Sequence, residues 1–186
     1  FKSDIPSWDV VNEPINTIPW ERALLDTLSK DGEIDAGYRY KTEEISLKET
    51  FSWVKKSVDW AYEANPKGDF IINEFYVIAK PEIREQFFAL IDTLIATGTP
   101  VTGIGIQAHE PRDRWFSPLE VMTTFDRLSE LGLPLHITEF TPQSAAKPIS
   151  GGWRAGVWNE ETQAEFAVEF YTLAFGHQTI KSIHWL

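Results

Sequence analysis

The stretch that decides the reading runs from Trp8 to Pro14, WDVVNEP. It begins as a short apolar strand and ends abruptly on Asn12 and Glu13, with Pro14 blocking continuation. A carboxylate at one strand end is ordinarily solvated and carries no meaning. It gains meaning if the other strands of the chain finish in the same way.

They do. DFIINE, from Asp69 to Glu74, reads as a second strand ending on Asn73 and Glu74. VTGIGIQ, from Val101 to Gln107, reads as a third, delivering Gln107, Ala108 and His109. LHITE, from Leu135 to Glu139, is a fourth ending on Thr138 and Glu139. Ile180 to Trp185 is a fifth that reaches His184 and Trp185. In a parallel sheet these ends share one face, where both barrels and open α/β sheets place their active sites. Stability gives no reason for the set, because clustered Glu13, Glu74 and Glu139 would repel one another and lose solvation.

Helix patterns fill the intervals. Ser46 and Glu49 form a capping box ahead of Leu47, Phe51, Val54, Val58 and Ala61 at helical spacing. Pro81 opens a helix through Phe87, Phe88, Ile91 and Leu94 to Gly98. Ser117, Pro118 and Glu120 start another that closes at Gly132. Asn159 caps a helix through Phe166, Phe170 and Leu173 to Gly176. A short helix is also expected near Trp20 to Leu28. The alternation predicts an α/β fold with short, continuously apolar parallel strands, which suit a sheet covered on both faces.

Composition narrows the function classes. The chain has 186 residues, enough for one domain with a real core, and 42% of them are hydrophobic. A formal net charge of −11 disfavours nucleic acid and anionic membranes. No apolar run approaches the roughly 18 residues of a membrane helix. The absence of cysteine excludes disulfides and thiolate zinc sites. The eight tryptophans fit core filling or sugar stacking equally well. A nucleotide site is disfavoured because no Gly-rich phosphate loop follows any strand. A metal site at His109, Glu110 and Glu139 lacks ligand spacing on one element. Two carboxylates with amides and an imidazole around them suit glycoside hydrolysis, in which one acid protonates the leaving oxygen and the other attacks or activates water.

WDVVNEP, GIGIQAH and ITEF, in this order and spacing, resemble the signature segments of glycoside hydrolase family 10, the endo-β-1,4-xylanases. INEFY matches more loosely, and the resemblance runs from end to end. It implies the (β/α)8 TIM-barrel fold, here a partial barrel of about five parallel strands corresponding to strands 4 to 8. Residues 1–186 would then be a single partial catalytic domain, since a typical barrel needs about 250 residues. It further implies a retaining mechanism with Glu13 as acid/base and Glu139 as nucleophile. Asn12 is expected to bind the 2-hydroxyl of the reacting sugar and His109 to hydrogen-bond the nucleophile. Gln107 and Asn73 are expected to line the cleft and Trp185 to floor it. The implied substrate is xylan or a xylo-oligosaccharide, with no cofactor or metal and a secreted location. The missing N-terminal part of the same barrel is an expected partner. A catalytically silent fragment, kept as a carbohydrate-binding or interaction module, is the alternative.

Two departures stand out. The family segment Thr-Glu-Leu-Asp is Thr138-Glu139-Phe140-Thr141 here, so the Asp that partners the histidine is replaced by Thr141. The segment Asn-Asp-Tyr-Asn is Asn73-Glu74-Phe75-Tyr76, and the longer Glu74 is expected to shift the geometry beside the acid/base.

Overall fold

A computed structural model describes residues 4–15 and 47–186. The helix expected near Trp20 to Leu28 and the Ser46 half of the first capping box lie outside the described residues.

Five parallel strands form the main sheet: β1 (Ser7–Asn12), β2 (Asp69–Glu74), β3 (Gly103–Ile106), β5 (Leu135–Phe140) and β7 (Ile180–Trp185). Their spatial order, β1-β2-β3-β5-β7, is their order in sequence. Helices α1 (Leu47–Ala64), α2 (Pro81–Ala96), α3 (Pro118–Ser129) and α4 (Glu160–Gly176) carry four of the crossings. The third strand is shorter than the sequence pattern. Val101 bonds locally to Thr99, and the Thr102 hydroxyl accepts from the Phe70 amide.

The monotonic order decides the architecture. Right-handed crossovers that always advance in one direction lay every helix on the same face. A doubly wound sheet would reverse its order at a switch point, and this one does not. The order is that of the expected partial barrel of five parallel strands, with the described helices on one face. Phe70, Ile72, Ile104, Ile106, Leu135 and Ile137 point into one buried cluster with Val54, Val58, Phe87, Leu94, Phe125 and Phe170 of the helices. The opposite face carries Ile71 and Asn73 beside Gly103 and Gly105, then His136 and Ser182 in register. A polar concave face and an apolar convex one are the two sides of a barrel wall.

β1 breaks the alternation once. Asp9 pairs with Ile71, Val11 with Ile72 and Asn12 with Asn73, so Val10 is a one-residue bulge. Asp9 and Asn12 thereby share the concave face although they are three residues apart.

Helix starts follow the sequence. Ser117 and Glu120 form a reciprocal capping box, as do Asn159 and Thr162. A long segment follows β5. It contributes β6 (Gly151–Gly152), which pairs in parallel with β4 (Arg114–Trp115). Gly152 has φ 94° and lies so close to the Trp115 carbonyl that a Cβ would sit 1.6 Å from its oxygen. The contact seats Trp115 on Trp158, stacked at 5.4 Å, with Phe166 edge-on to both. Tryptophan usage is thus divided: Trp115 and Trp158 fill the core, while Trp60, Trp153 and Trp185 are exposed.

Phe140 is the aromatic hub, stacked on Phe170 at 4.5 Å and edge-on to Tyr171 and Trp185. Phe140→Ala should cost about 3–5 kcal/mol through lost burial and a residual cavity. Urea unfolding should show a lowered midpoint at unchanged slope.

Candidate active site

The first three strands each end with a backbone reversal that aims a side chain across the rim. Glu13, Tyr76 and Ala108 adopt φ of 57°, 61° and 59°, a conformation costing a non-glycine residue roughly 1–2 kcal/mol. At two of the strand ends the backbone is tied across to β2. The Glu13 amide donates to the Asn73 carbonyl at 2.8 Å, and the Gln107 amide donates to the Glu74 carbonyl at 3.1 Å.

Two side-chain amides assemble the site. Asn73 Nδ2 donates to Asn12 Oδ1 at 3.0 Å and to Glu139 Oε1 at 2.9 Å. Its Oδ1 accepts from the Thr138 hydroxyl at 2.7 Å. Gln107 Nε2 donates to Asn12 Oδ1 and to Glu13 Oε1, each at 3.0 Å. Its Oε1 lies 2.6 Å from His109 Nε2, and that nitrogen is 3.2 Å from Glu139 Oε2. The contacts close a ring through Glu139, Asn73, Asn12, Gln107 and His109, with Glu13 attached at Gln107. Both amides are wholly buried and use both N–H groups, so their orientation is fixed.

The structure thus brings together Glu13, Glu139, Asn12, Asn73, Gln107 and His109. Asn12 accepts twice through Oδ1, and its Nδ2 has no partner among the described residues, leaving donors for a ligand. Trp185 stands outside the ring. It pairs with Phe140, immediately after Glu139, and its half-exposed indole lies edge-on to that ring at 5.5 Å.

Glu74 holds backbone amides beside the rim. Fully buried, it accepts from the Ile15 amide at 2.7 Å and from its neighbour Phe75 at 2.9 Å. It therefore holds the turn that carries Glu13, which is how the longer side chain acts on that region. The Thr141 hydroxyl donates to the Glu139 carbonyl at 2.9 Å and gives no bond to His109.

Sequence reading passed over Asp9 and Gly105. Burial first and the Glu139 charge second raise the Asp9 pKa, and a hydrogen bond with Asn73 opposes both, leaving it at about 7. By area Asp9 is exposed, because β1 is an edge strand. Crowding from the sheet side sets the direction of the shift, and water on the open side screens its size. The detectable signal was an acid set within an apolar strand. Gly105 is needed because a Cβ there would lie 2.5 Å from Asn73 Oδ1. The glycine alternation of GIGI was its trace.

The sequence profile of the family described as Glycosyl hydrolase family 10 matches residues 1–184. The endo-1,4-beta-xylanase A of Caldicellulosiruptor sp. (strain Rt8B.4) is 33% identical over 140 residues, covering 75% of this chain and 18% of that protein. The endo-1,4-beta-xylanase B of Thermotoga neapolitana is 29% identical over 186 residues, covering 100% of this chain and 46% of that protein. Among solved structures, native xylanase 10B from Thermotoga maritima superposes with TM-score 0.66 at 24% identity, covering 100% of this chain and 49% of that one. The GH10 structure from Paenibacillus barcinonensis gives TM-score 0.67 at 20% identity, covering 99% and 51%. The chain therefore spans about half or less of the length of these relatives, and its sheet is part of a (β/α)8 barrel.

Two outcomes follow from this geometry. Gly105→Ala should displace Asn73, lower stability by about 1–3 kcal/mol as overpacking does, and shift the Asn73 side-chain amide resonances in NMR spectra. For Asp9, the folded chain keeps its proton up to about 7 whereas the ordinary value is 3.8, so unfolding between those limits releases a proton. Stability should fall as pH rises through that window and level off above it. Urea midpoints of the wild type relative to Asp9→Asn should show this slope.

Proposed function

Because the chain belongs to glycosyl hydrolase family 10, we propose that it is the catalytic-rim portion of a retaining endo-1,4-β-xylanase. The observation that carries this reading is the ring of contacts, hydrogen-bonded except where His109 approaches Glu139. It links two carboxylates from different strands, Glu13 and Glu139, through amides whose orientation is fixed. In this reading the substrate is xylan or a xylo-oligosaccharide, and a polymer of that size is met outside the cell.

Glu139 is the nucleophile. Asn73 Nδ2 donates to one carboxylate oxygen, and His109 Nε2 lies 3.2 Å from the other. The carboxylate adds to the anomeric carbon while the bond to the leaving oxygen breaks. Glu13 gives its proton to that oxygen, so the leaving sugar departs neutral. A covalent glycosyl ester on Glu139 results. Glu13, now a carboxylate, takes a proton from water, whose oxygen attacks the same carbon and frees Glu139. Two inversions give net retention. Retaining pairs lie about 5–5.5 Å apart, without room for an intervening water.

The remaining roles follow from what each group has spare. Asn12 Nδ2 is the donor for the 2-hydroxyl, a contact that strengthens in the transition state. Gln107 positions Glu13 directly and Glu139 through His109. Trp185 offers an exposed aromatic face beside Glu139 on which a pyranose can lie.

The test is made in the full-length protein that contains this chain. Glu139→Gln should abolish the glycosyl-enzyme intermediate, seen by mass spectrometry with a slow substrate. Glu13→Gln should slow xylan hydrolysis by about 10²–10⁴-fold while sparing activated aryl glycosides, which need little protonation. Survival of the activated substrate only in Glu139→Gln would reverse the roles. An inverted product anomer would exclude the retaining mechanism.

A further inference from the structure

We propose that Glu110 is the positioning carboxylate of His109, acting on Nδ1, with Arg112 as its anchor. The inference rests on the hydrolase reading only in giving this contact a catalytic purpose. The contact itself follows from the geometry.

Proton accounting at the ring comes first. Gln107 Nε2 uses both hydrogens on Asn12 and Glu13, so the oxygen facing His109 is an acceptor. His109 Nε2, 2.6 Å from it, must then donate. Nε2 therefore carries a proton, which it directs at Gln107, and the nitrogen lies 3.2 Å from Glu139 Oε2.

Nδ1 is the other half of the ring. The His109 side chain is 9% exposed, and Nδ1 is buried with no hydrogen-bond partner. A carboxylate oxygen faces it, Glu110 Oε1 at 3.5 Å. A bare lone pair opposite that oxygen would be repelled. A proton on Nδ1 turns the same contact into an ion pair, which a small rotation of the Glu110 carboxylate closes to hydrogen-bond length.

Glu110 is itself held. Arg112 Nε donates to the same Oε1 at 3.1 Å from a side chain that is 60% exposed. The groups then alternate in sign from Arg112 through Glu110 and His109 to Glu139. With Thr141 turned to the backbone, Glu110 supplies the negative charge that a ring donating from both nitrogens needs.

The experiment uses this chain labelled with ¹⁵N-histidine. Long-range ¹H–¹⁵N spectra at neutral pH report the protonation of each ring nitrogen, and loss of signals in His109→Gln assigns that residue among the four histidines. The expected wild-type result is a proton on both His109 nitrogens. In Glu110→Gln the Nδ1 resonance should shift to the unprotonated region while Nε2 keeps its proton, with the other histidines unmoved. An unprotonated Nδ1 in the wild type, or an unchanged spectrum in Glu110→Gln, overturns the proposal. Should that variant fail to fold, Arg112→Gln carries the test from the surface. It should shift Nδ1 part of the way, and no shift overturns the proposal. None of these readouts needs hydrolysis. A doubly protonated His109 in a full-length protein that cleaves no xylan would uphold this contact and sink the hydrolase reading alone.

Discussion

A primary amide has two N–H donors and one carbonyl acceptor, and the site depends on two such groups having none to spare. Asn73 and Gln107 sit on adjacent strands, and each distributes both hydrogens between Asn12 and a carboxylate. Because they are buried, a flipped amide would set oxygen against oxygen and leave a proton unmatched, a penalty of roughly 1–3 kcal/mol per group. This cost makes the arrangement rigid without a metal or a covalent link. Thr138 and His109 complete it by reading the two carbonyl oxygens from opposite sides.

The scaffold that allows this is the one-directional winding of the sheet. Strand order equals chain order, so every strand ends on the same rim and every helix lies behind. Packing and chemistry are then separated by the pleat. Ile104 and Ile106 face the helices, while Gly103 and Gly105 leave the concave side free for neighbouring side chains to cross. The left-handed turns at Glu13 and Ala108 concentrate backbone strain at the rim, and core packing on the other face offsets it.

Much of this was legible beforehand because it is written in local chemistry. The ends of β1, β2 and β7, the capping residues Ser117 and Asn159, and the stop at Gly132 are short-range signals, and each stands where the pattern put it. Apolar runs report burial without reporting which partner buries each side, so the alternation by itself did not tell a barrel wall from an open sheet. The pairing of Gly151–Gly152 with Arg114–Trp115 was invisible because two residues are too few to show a period. The turn of Glu74 toward the Ile15 amide depends on a partner 59 residues away. The need for glycine at 105 is likewise non-local, arising only once Asn73 crosses from the next strand.

The bulge at Val10 separates two properties that strands usually bind together, the side a residue faces and the angle at which it arrives. Asp9 and Asn12 lie three apart yet look the same way, so the chain holds one surplus residue in this strand. A version shortened by Val10 would be an ordinary ribbon with both residues still facing inward. What it would lose is the added local coiling that such a surplus imposes. The last residues of β1 would leave the wall along a straighter line, and the reversal at Glu13 would start from a different heading. One surplus aliphatic residue thus works as an aiming device, adjusting the direction of a side chain three positions away.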